Sequence, residues 1–174
     1  YLFNIEMGLI INDSVAVHLT GKFLHEGQEV SLIVGTGINT CFEIPFWQLP
    51  ENKRPNYTEY SATLKAIINA EAGFLGSGMI NITPFDSPSD LDCYMPLEFV
   101  TAGKWLPLAL QKILRHYNYF QPELTSIDGQ LLVAIVEGNV KLNVDQACMK
   151  FVCEVCKMLL ERGAFYLTVT LLAI

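Results

Sequence analysis

Two stretches of this sequence decide the fold: residues 10–14, with the sequence IINDS, and residues 31–39, with the sequence SLIVGTGIN. In the first, an apolar run typical of a buried strand ends in Asn-Asp-Ser, which is frequent at helix starts. We therefore predict a helix over residues 15–19, with Gly21 as its end, and Asp13 lies at the change from strand to helix. In the second, a predicted strand runs into Gly-Thr-Gly, whose glycines let backbone N–H groups turn outward and bind an anion. Ligands bind beyond the carboxyl ends of strands in open α/β sheets, so both stretches are candidates for a ligand site.

The composition is that of one domain with a sizeable core. The chain has 174 residues, of which 51% are hydrophobic and 17% charged, and this balance favours a sheet covered on both faces. No apolar run reaches the ~18 residues that a membrane span needs, so we expect no membrane span. The net charge is −7 without a basic cluster, which argues against a nucleic-acid partner.

The cysteines have two interpretations. Cys153 and Cys156 form a C-x-x-C pair, which occurs in metal and redox sites, but no second pair and no nearby histidine completes a zinc set. Helical spacing instead places six residues on one stripe: Cys148, Phe151, Val152, Val155, Cys156 and Leu159. We predict that most of these sulfurs are small core groups. Free thiols suit a reducing compartment, so we expect a cytoplasmic protein.

Hydrophobic periodicity and the glycine and proline positions predict the other elements. The predicted strands are residues 1–11, Val30–Val34, an antiparallel return at residues 40–44, and residues 66–69. The predicted helices are a block from Met95 that breaks at Gly103 and restarts near Lys104, and residues 145–162 with Gly163 as a candidate end. Residues 45–60, with three prolines, are predicted to be irregular and exposed, and residues 124–140 stay undecided.

The two opening motifs and their separation resemble the hexokinase family. That family carries Asn-Asp-Thr, a short helix, a loop and then Leu-Ile-x-Gly-Thr-Gly-x-Asn. Here Ser14 replaces the threonine, and the second motif is intact from Leu32 to Asn39. Residues 69–76 (NAEAGFLG) stand where the family has Asn-Thr-Glu-Trp-Gly-x-Phe-Gly. Glu98 and Gly103 keep the family's glutamate and glycine, although its Asn-Pro-Gly is lost at residues 91–93.

The resemblance implies an α/β fold with an actin-like ATPase (ribonuclease H-like) core, a mixed sheet and flanking helices. It implies that residues 1–174 are one partial domain of the large lobe, with the small lobe and the adenosine-binding part outside it. For residues 164–174, β propensity favours a strand, whereas the family has a helix there, and we follow the resemblance. The activity implied is ATP-dependent phosphorylation of the 6-hydroxyl of glucose or a related hexose, a step of glycolysis, with ATP and Mg²⁺ as cofactors.

The resemblance also implies roles for individual residues. Asp13 corresponds to the base that accepts the proton of the sugar hydroxyl, and its place at a helix N-terminus favours the ionised form. The expected sugar contacts are Asn12, Asn39, Glu71 and Glu98, the expected phosphate contacts are Gly35, Thr36 and Gly37, and no metal ligand is expected. Carboxylates and amides together suit a polyol, because each hydroxyl both donates and accepts. We expect the sugar contacts to converge with Asp13 on one cleft.

Three functional hypotheses stay open. The first is a fragment of a hexose kinase, which would be inactive alone because the family's metal-associated and phosphate-clamping motifs are not among these residues. The second is a non-catalytic sugar sensor or regulatory binding protein, because Gln130 and Ala134 stand where the family has Thr and Ser near the nucleotide. The third is an interaction module in which both motifs are structural relics. Trp47 and Trp105 are interpreted as packing groups.

Overall fold

The structure is a computed structural model that describes residues 10–25, 27–54, 63–87 and 94–174. The chain divides into two compact units, one of Tyr1–Leu32 with Asn39–Ala70 and the other of Ile33–Ile38 with Glu71–Ile174. Most of the predicted strand over residues 1–11 lies outside the described residues, and Ile10 and Ile11 are not in a strand. In the described ranges, no helix is both long and apolar enough to cross a membrane.

Within the described residues, the sheet has three strands in the order β1–β2–β3: β1 (Val30–Val34), β2 (Ile38–Pro45) and β3 (Lys65–Asn69). β2 and β3 pair antiparallel, with Cys41 opposite Asn69 and Pro45 opposite Lys65. β1 and β2 are neighbours joined by residues 35–37, and so short a link permits only antiparallel pairing. Three of the four predicted strands are confirmed, namely Val30–Val34, residues 40–44 and residues 66–69. The parallel part of the predicted mixed sheet is not among the described strands.

Helix α1 (Asp13–Leu24) is longer than the predicted helix over residues 15–19, and Gly21 does not end it. The Asn12 side chain caps the helix, because its Oδ1 accepts from the Ser14 N–H at 2.9 Å. A Cβ on Gly21 would lie 2.1 Å from Gln28 Oε1, so this glycine makes room for a side chain that packs against the helix. The prediction of Gly21 as a helix end was therefore wrong.

Of the prolines that the structure describes in residues 45–60, Pro45 ends β2 and Pro50 directly precedes a 3₁₀ turn, so this stretch is not fully irregular. Residues 55–60 lie outside the described residues. Within the described part, 3₁₀ turns occupy Phe46–Gln48 and Glu51–Lys53, and most of their residues are exposed, as predicted. Arg54 ties this segment together by donating from Nε to the carbonyl of Leu49 at 2.8 Å.

In its described residues, the second unit has four α-helices: α2 (Pro96–Thr101), α3 (Trp105–His116), α4 (Gly129–Val136) and α5 (Gln146–Leu172). A 3₁₀ turn, Ala72–Phe74, contacts α2, and α2, α3 and α4 each pack against α5. The predicted break at Gly103 and the restart near Lys104 are confirmed. The undecided residues 124–140 form the end of a 3₁₀ turn, Pro122–Leu124, followed by α4.

The core of this unit depends on α5. Cys148, Val152, Val155, Cys156 and Leu159 are buried in it, which confirms the predicted stripe, and burial raises the pKa of Cys156 to about 12. The helix continues through Gly163, so the predicted end there was wrong, whereas the helix predicted beyond it is confirmed. A Cβ on Gly163 would lie 2.9 Å from the Val100 carbonyl oxygen, so the glycine lets α5 approach α2 closely.

Candidate functional site

The first candidate residues lie at the start of α1, in the first unit. The Ser14 N–H donates to Asn12 Oδ1 at 2.9 Å and to Asp13 Oδ1 at 2.8 Å, so one backbone group fixes both side chains. Asn12 and Asp13 are exposed. The local sequence explains this placement, because Asn is a preferred capping residue and the acid follows it in the first helical turn, where the helix dipole favours negative charge.

Asn39 lies in β2 of the first unit, and its amide orientation is fixed from both ends. Its Nδ2 donates to Asn69 Oδ1 at 2.7 Å, and its Oδ1 accepts from the Thr40 N–H at 2.8 Å. Antiparallel pairing of β2 with the end of β3 brings Asn69 to this place, since Asn69 is opposite Cys41. Asn69 was not predicted as a partner of Asn39, although Asn69 is the first residue of the motif NAEAGFLG.

The Gly-Thr-Gly turn belongs to the second unit and is held by backbone contacts. The Gly35 N–H donates to the Gly37 carbonyl at 2.9 Å, and the Gly103 N–H donates to the Gly35 carbonyl at 2.8 Å. A Cβ on Gly103 would lie 3.1 Å from the Gly35 oxygen, and one on Gly129 would lie 3.2 Å from the Gly103 Cα. Three glycines from distant parts of the chain therefore let their backbones pack closely together.

The turn is open enough for an anion. Gly35 and Thr36 are exposed, and a Cβ on Gly35 would meet no atom within 4 Å. The phosphate contact expected of these residues stays a prediction. Within the described ranges, no three His, Cys, Asp or Glu side chains come together in a way that would hold a metal ion.

Glu98, on α2 of the second unit, lies directly against this turn. Its Oε2 accepts from the Ile38 N–H at 3.4 Å, and its Oε1 accepts from the Trp105 indole N–H at 3.0 Å. A Cβ on Gly37 would lie 2.8 Å from Oε2, and one on Gly73 would lie 3.2 Å from the same oxygen. Two glycine backbones thus leave room for the carboxylate, and neither glycine position tolerates a side chain without a shift.

Glu71 precedes the 3₁₀ turn Ala72–Phe74 and has an unusual backbone. Its φ of 48° and ψ of 54° are left-handed, and in the described part only Asn118 shares a positive φ among residues other than glycine. Asparagine tolerates this region because its short side chain bonds locally, whereas glutamate rarely adopts it. Glu71 is exposed, and the residues after it, Ala72 and Gly73, are buried. Such an outlier at a predicted ligand contact is a reason to suspect function.

The predicted residues therefore fall into two sets. Asn12, Asp13 and Asn39 belong to the first unit, and the turn residues, Glu71 and Glu98 belong to the second. The structure brings Glu98 to Gly37 and Asn12 beside Asp13. The convergence of all the sugar contacts on one cleft stays a prediction.

Comparison with known proteins adds to this geometry. No protein-family model matches the chain. It is similar to hexokinase-1 of Nicotiana tabacum, with 27% identity over 64% of this chain and 22% of that protein. It is also similar to N-acetylglucosamine kinase 1 of Candida albicans, with 22% identity over 99% of this chain and 43% of that protein.

A solved structure, a hexokinase from Schistosoma mansoni complexed with glucose, has the same fold. The TM-score is 0.69 at 20% sequence identity, over 89% of this chain and 41% of that chain. This likeness confirms the predicted α/β fold with an actin-like ATPase core. The chain spans between about a fifth and two-fifths of the length of the relatives it matches.

Proposed function

We propose that this chain, a divergent relative of the hexokinases, is part of an ATP-dependent hexose kinase and carries its sugar contacts and its catalytic base. One observation carries the proposal. Glu98, the predicted sugar ligand on α2, lies against the Gly-Thr-Gly turn although 60 residues separate it from Ile38. A sugar kinase needs a sugar-binding carboxylate and a phosphate-binding turn as neighbours, because the reacting hydroxyl must meet the phosphoryl group.

The proposed chemistry assigns one task to each set of residues. Asp13, exposed at the start of α1, accepts the proton from the 6-hydroxyl of the sugar as that oxygen attacks the γ-phosphoryl group. Asn12, Asn39, Glu71 and Glu98 hold the other hydroxyls by accepting and donating hydrogen bonds. ATP is the phosphoryl donor, and the backbone of Gly35–Gly37 meets its phosphates. We propose glucose as the first candidate substrate and the cytoplasm as the compartment.

A non-catalytic sugar-binding protein is the second candidate. It is favoured by Gln130 and Ala134 on α4, where the family has hydroxyl side chains near the nucleotide, and Gln130 is exposed. This candidate keeps the sugar contacts of both units but uses neither Asp13 as a base nor the turn as a phosphate contact. The two candidates therefore differ in nucleotide use and agree in sugar binding.

Isothermal titration of the purified chain with D-glucose tests sugar binding, with L-glucose as the control for unspecific effects and N-acetylglucosamine as a second ligand. We expect D-glucose or N-acetylglucosamine to bind with a dissociation constant of about 1 mM or weaker. Glu98→Gln and Asn39→Ala should each weaken binding about tenfold, whereas Asp13→Ala should change it less, since the base acts in the transition state. Equal heats of binding for D- and L-glucose, without selective binding of N-acetylglucosamine, would contradict both candidate functions.

A coupled ADP-release assay separates the kinase from the sensor. We expect the 174 residues alone to give no turnover. In a protein that joins them to the small lobe and adenosine-binding part of a hexokinase, Asp13→Ala should lower kcat by about 10²–10⁴. Sugar binding without any turnover that depends on Asp13 would favour the sensor.

A further inference from the structure

The most informative contact that the motifs did not predict is the hydrogen bond between Trp105 and Glu98. Trp105 is only 4% exposed, and its indole N–H donates to Glu98 Oε1 at 3.0 Å. A buried indole N–H requires an acceptor, and a hydrogen bond to a carboxylate is about twice as strong as one between neutral groups. Trp105 is therefore more than a packing group, because it also donates a hydrogen bond to a predicted site residue.

The indole ring is held in place by its neighbours. Phe99 meets it edge to face, with ring centroids 5.3 Å apart and an interplanar angle of 82°, and both rings belong to one buried cluster with Ala102. The Lys104 ammonium lies 4.5 Å from the centre of the Trp105 ring, where a cation is attracted to the aromatic face. A ring fixed in this way donates its N–H in one direction.

Among the residues that the structure describes, the other oxygen of the Glu98 carboxylate has no comparably strong hydrogen bond. The described contact of Oε2 with the Ile38 N–H is long at 3.4 Å, and the neighbouring Gly37 and Gly73 contribute backbone but no side chain. The orientation of the carboxylate about its long axis therefore depends on Trp105. Because Oε1 accepts the hydrogen bond from Trp105, Oε2 is the oxygen that lies against the Gly-Thr-Gly turn.

We propose that Trp105 is a positioning residue that fixes the Glu98 carboxylate so that Oε2 accepts a hydrogen bond from a sugar hydroxyl. This inference rests on the proposed function, because it assumes that Glu98 is a sugar contact. It adds a residue that the motif resemblance does not assign. Trp105 itself does not touch the sugar; its effect on sugar binding passes through Glu98.

A double-mutant cycle on D-glucose affinity tests the inference. Trp105→Phe removes the donor and keeps an aromatic ring, and Trp47→Phe is the matched control, since Trp47 is 66% exposed. Trp105→Phe should weaken D-glucose binding about tenfold with Glu98 present and less than about twofold in the Glu98→Ala background. Trp47→Phe should have no effect in either background.

The outcomes separate the positioning role from the proposed function. If Trp105→Phe weakens binding equally in both backgrounds, its effect is structural and the positioning role is wrong. If only Glu98→Ala weakens binding, the positioning role is again wrong and the proposed function stands. If Glu98→Ala has no effect on D-glucose affinity, Glu98 is not a sugar contact and both proposals fail at this residue.

A measurement on the unaltered tryptophan covers the case in which Trp105→Phe fails to fold. The chain has two indole N–H resonances in a nitrogen–proton correlation spectrum, one for Trp47 and one for Trp105. D-glucose, but not L-glucose, should shift the Trp105 resonance and leave that of Trp47 in place, and Glu98→Gln should shift it without sugar. The inference would be overturned if neither Glu98→Gln nor D-glucose changed the chemical shift of the Trp105 indole N–H.

Discussion

Glu71 combines a strained backbone with a predicted role in binding, and the two can be separated by substitution. Its left-handed conformation costs a non-glycine residue about 1 kcal/mol. Glu71→Gly should therefore raise the free energy of unfolding by about that amount and weaken D-glucose binding about tenfold. Glu71→Ala should weaken binding equally without the gain in stability. Urea unfolding and sugar titration of the variants measure both quantities.

Asn118 provides the matched control for Glu71. It also has a positive φ, 60°, but lies just after α3 and has no predicted role in binding. Asn118→Gly should change stability slightly, because asparagine tolerates the left-handed region, and should leave sugar affinity unchanged. A Glu71→Gly variant that loses stability, or that binds sugar as the native chain does, contradicts the role assigned to Glu71.

At the residue scale, the motifs predicted which side chains to examine but not what holds them. Asn39 and Glu98 were identified from their neighbours in sequence. Their partners, Asn69 and Trp105, lie 30 and 7 residues away and meet them only through strand pairing and the turn between two helices. Local sequence carries no information on such contacts, so Trp105 was interpreted as a packing group only.

At the element scale, one glutamate joins α1 to the sheet. Glu43 on β2 forms ion pairs with Lys22 on α1 and with Lys65 on β3, and His18 Nε2 on α1 lies 3.7 Å from it. The hydrogen bond from Lys22 is the main reason that the pKa of Glu43 lies below its ordinary value of 4.5. These contacts therefore stabilise the fold above pH 4.5 and cease to do so as the pH falls through the lowered pKa.

This linkage predicts a pH dependence of stability. When the pH is lowered from 7 to below the pKa of Glu43, the unfolding free energy of the native chain should fall. The fall should be about 1 kcal/mol larger than for Glu43→Gln, because that variant has no carboxylate to protonate at this position. Glu51→Gln is the control, because Glu51 is exposed in a 3₁₀ turn and should leave the pH profile unchanged. Chemical unfolding at a series of pH values measures the difference. Parallel profiles for the native chain and Glu43→Gln would contradict the assignment.

The errors made at the element scale share one cause. The strands at residues 30–34, 40–44 and 66–69 and the restart of helix near Lys104 follow from local apolar patterns and from the glycine and proline positions, and they were predicted correctly. Gly21 and Gly163 were predicted as helix ends because glycine is common there. Both instead lie inside helices where Gln28 or the Val100 carbonyl approaches too closely for a Cβ. Tertiary contacts of this kind override local propensity.

At the scale of the whole molecule, the proposed kinase function requires residues of both units. Asn12, Asp13 and Asn39 belong to the first unit, and Glu71 and Glu98 belong to the second. Only Ile38 separates Gly37 from Asn39 along the chain, so the backbone links the two sets. A hexose has enough hydroxyl groups to occupy all these side chains, and phosphorylation requires that they act on one sugar.

A D-glucose titration followed by two nitrogen–proton resonances tests this central claim most directly. The side-chain amide of Asn39 reports on the first unit, and the indole N–H of Trp105 reports on the second. If one sugar contacts both sets, both resonances shift with the same dissociation constant, and L-glucose moves neither. A shift of only one resonance, or two clearly different dissociation constants, would contradict the claim that these residues share one sugar site.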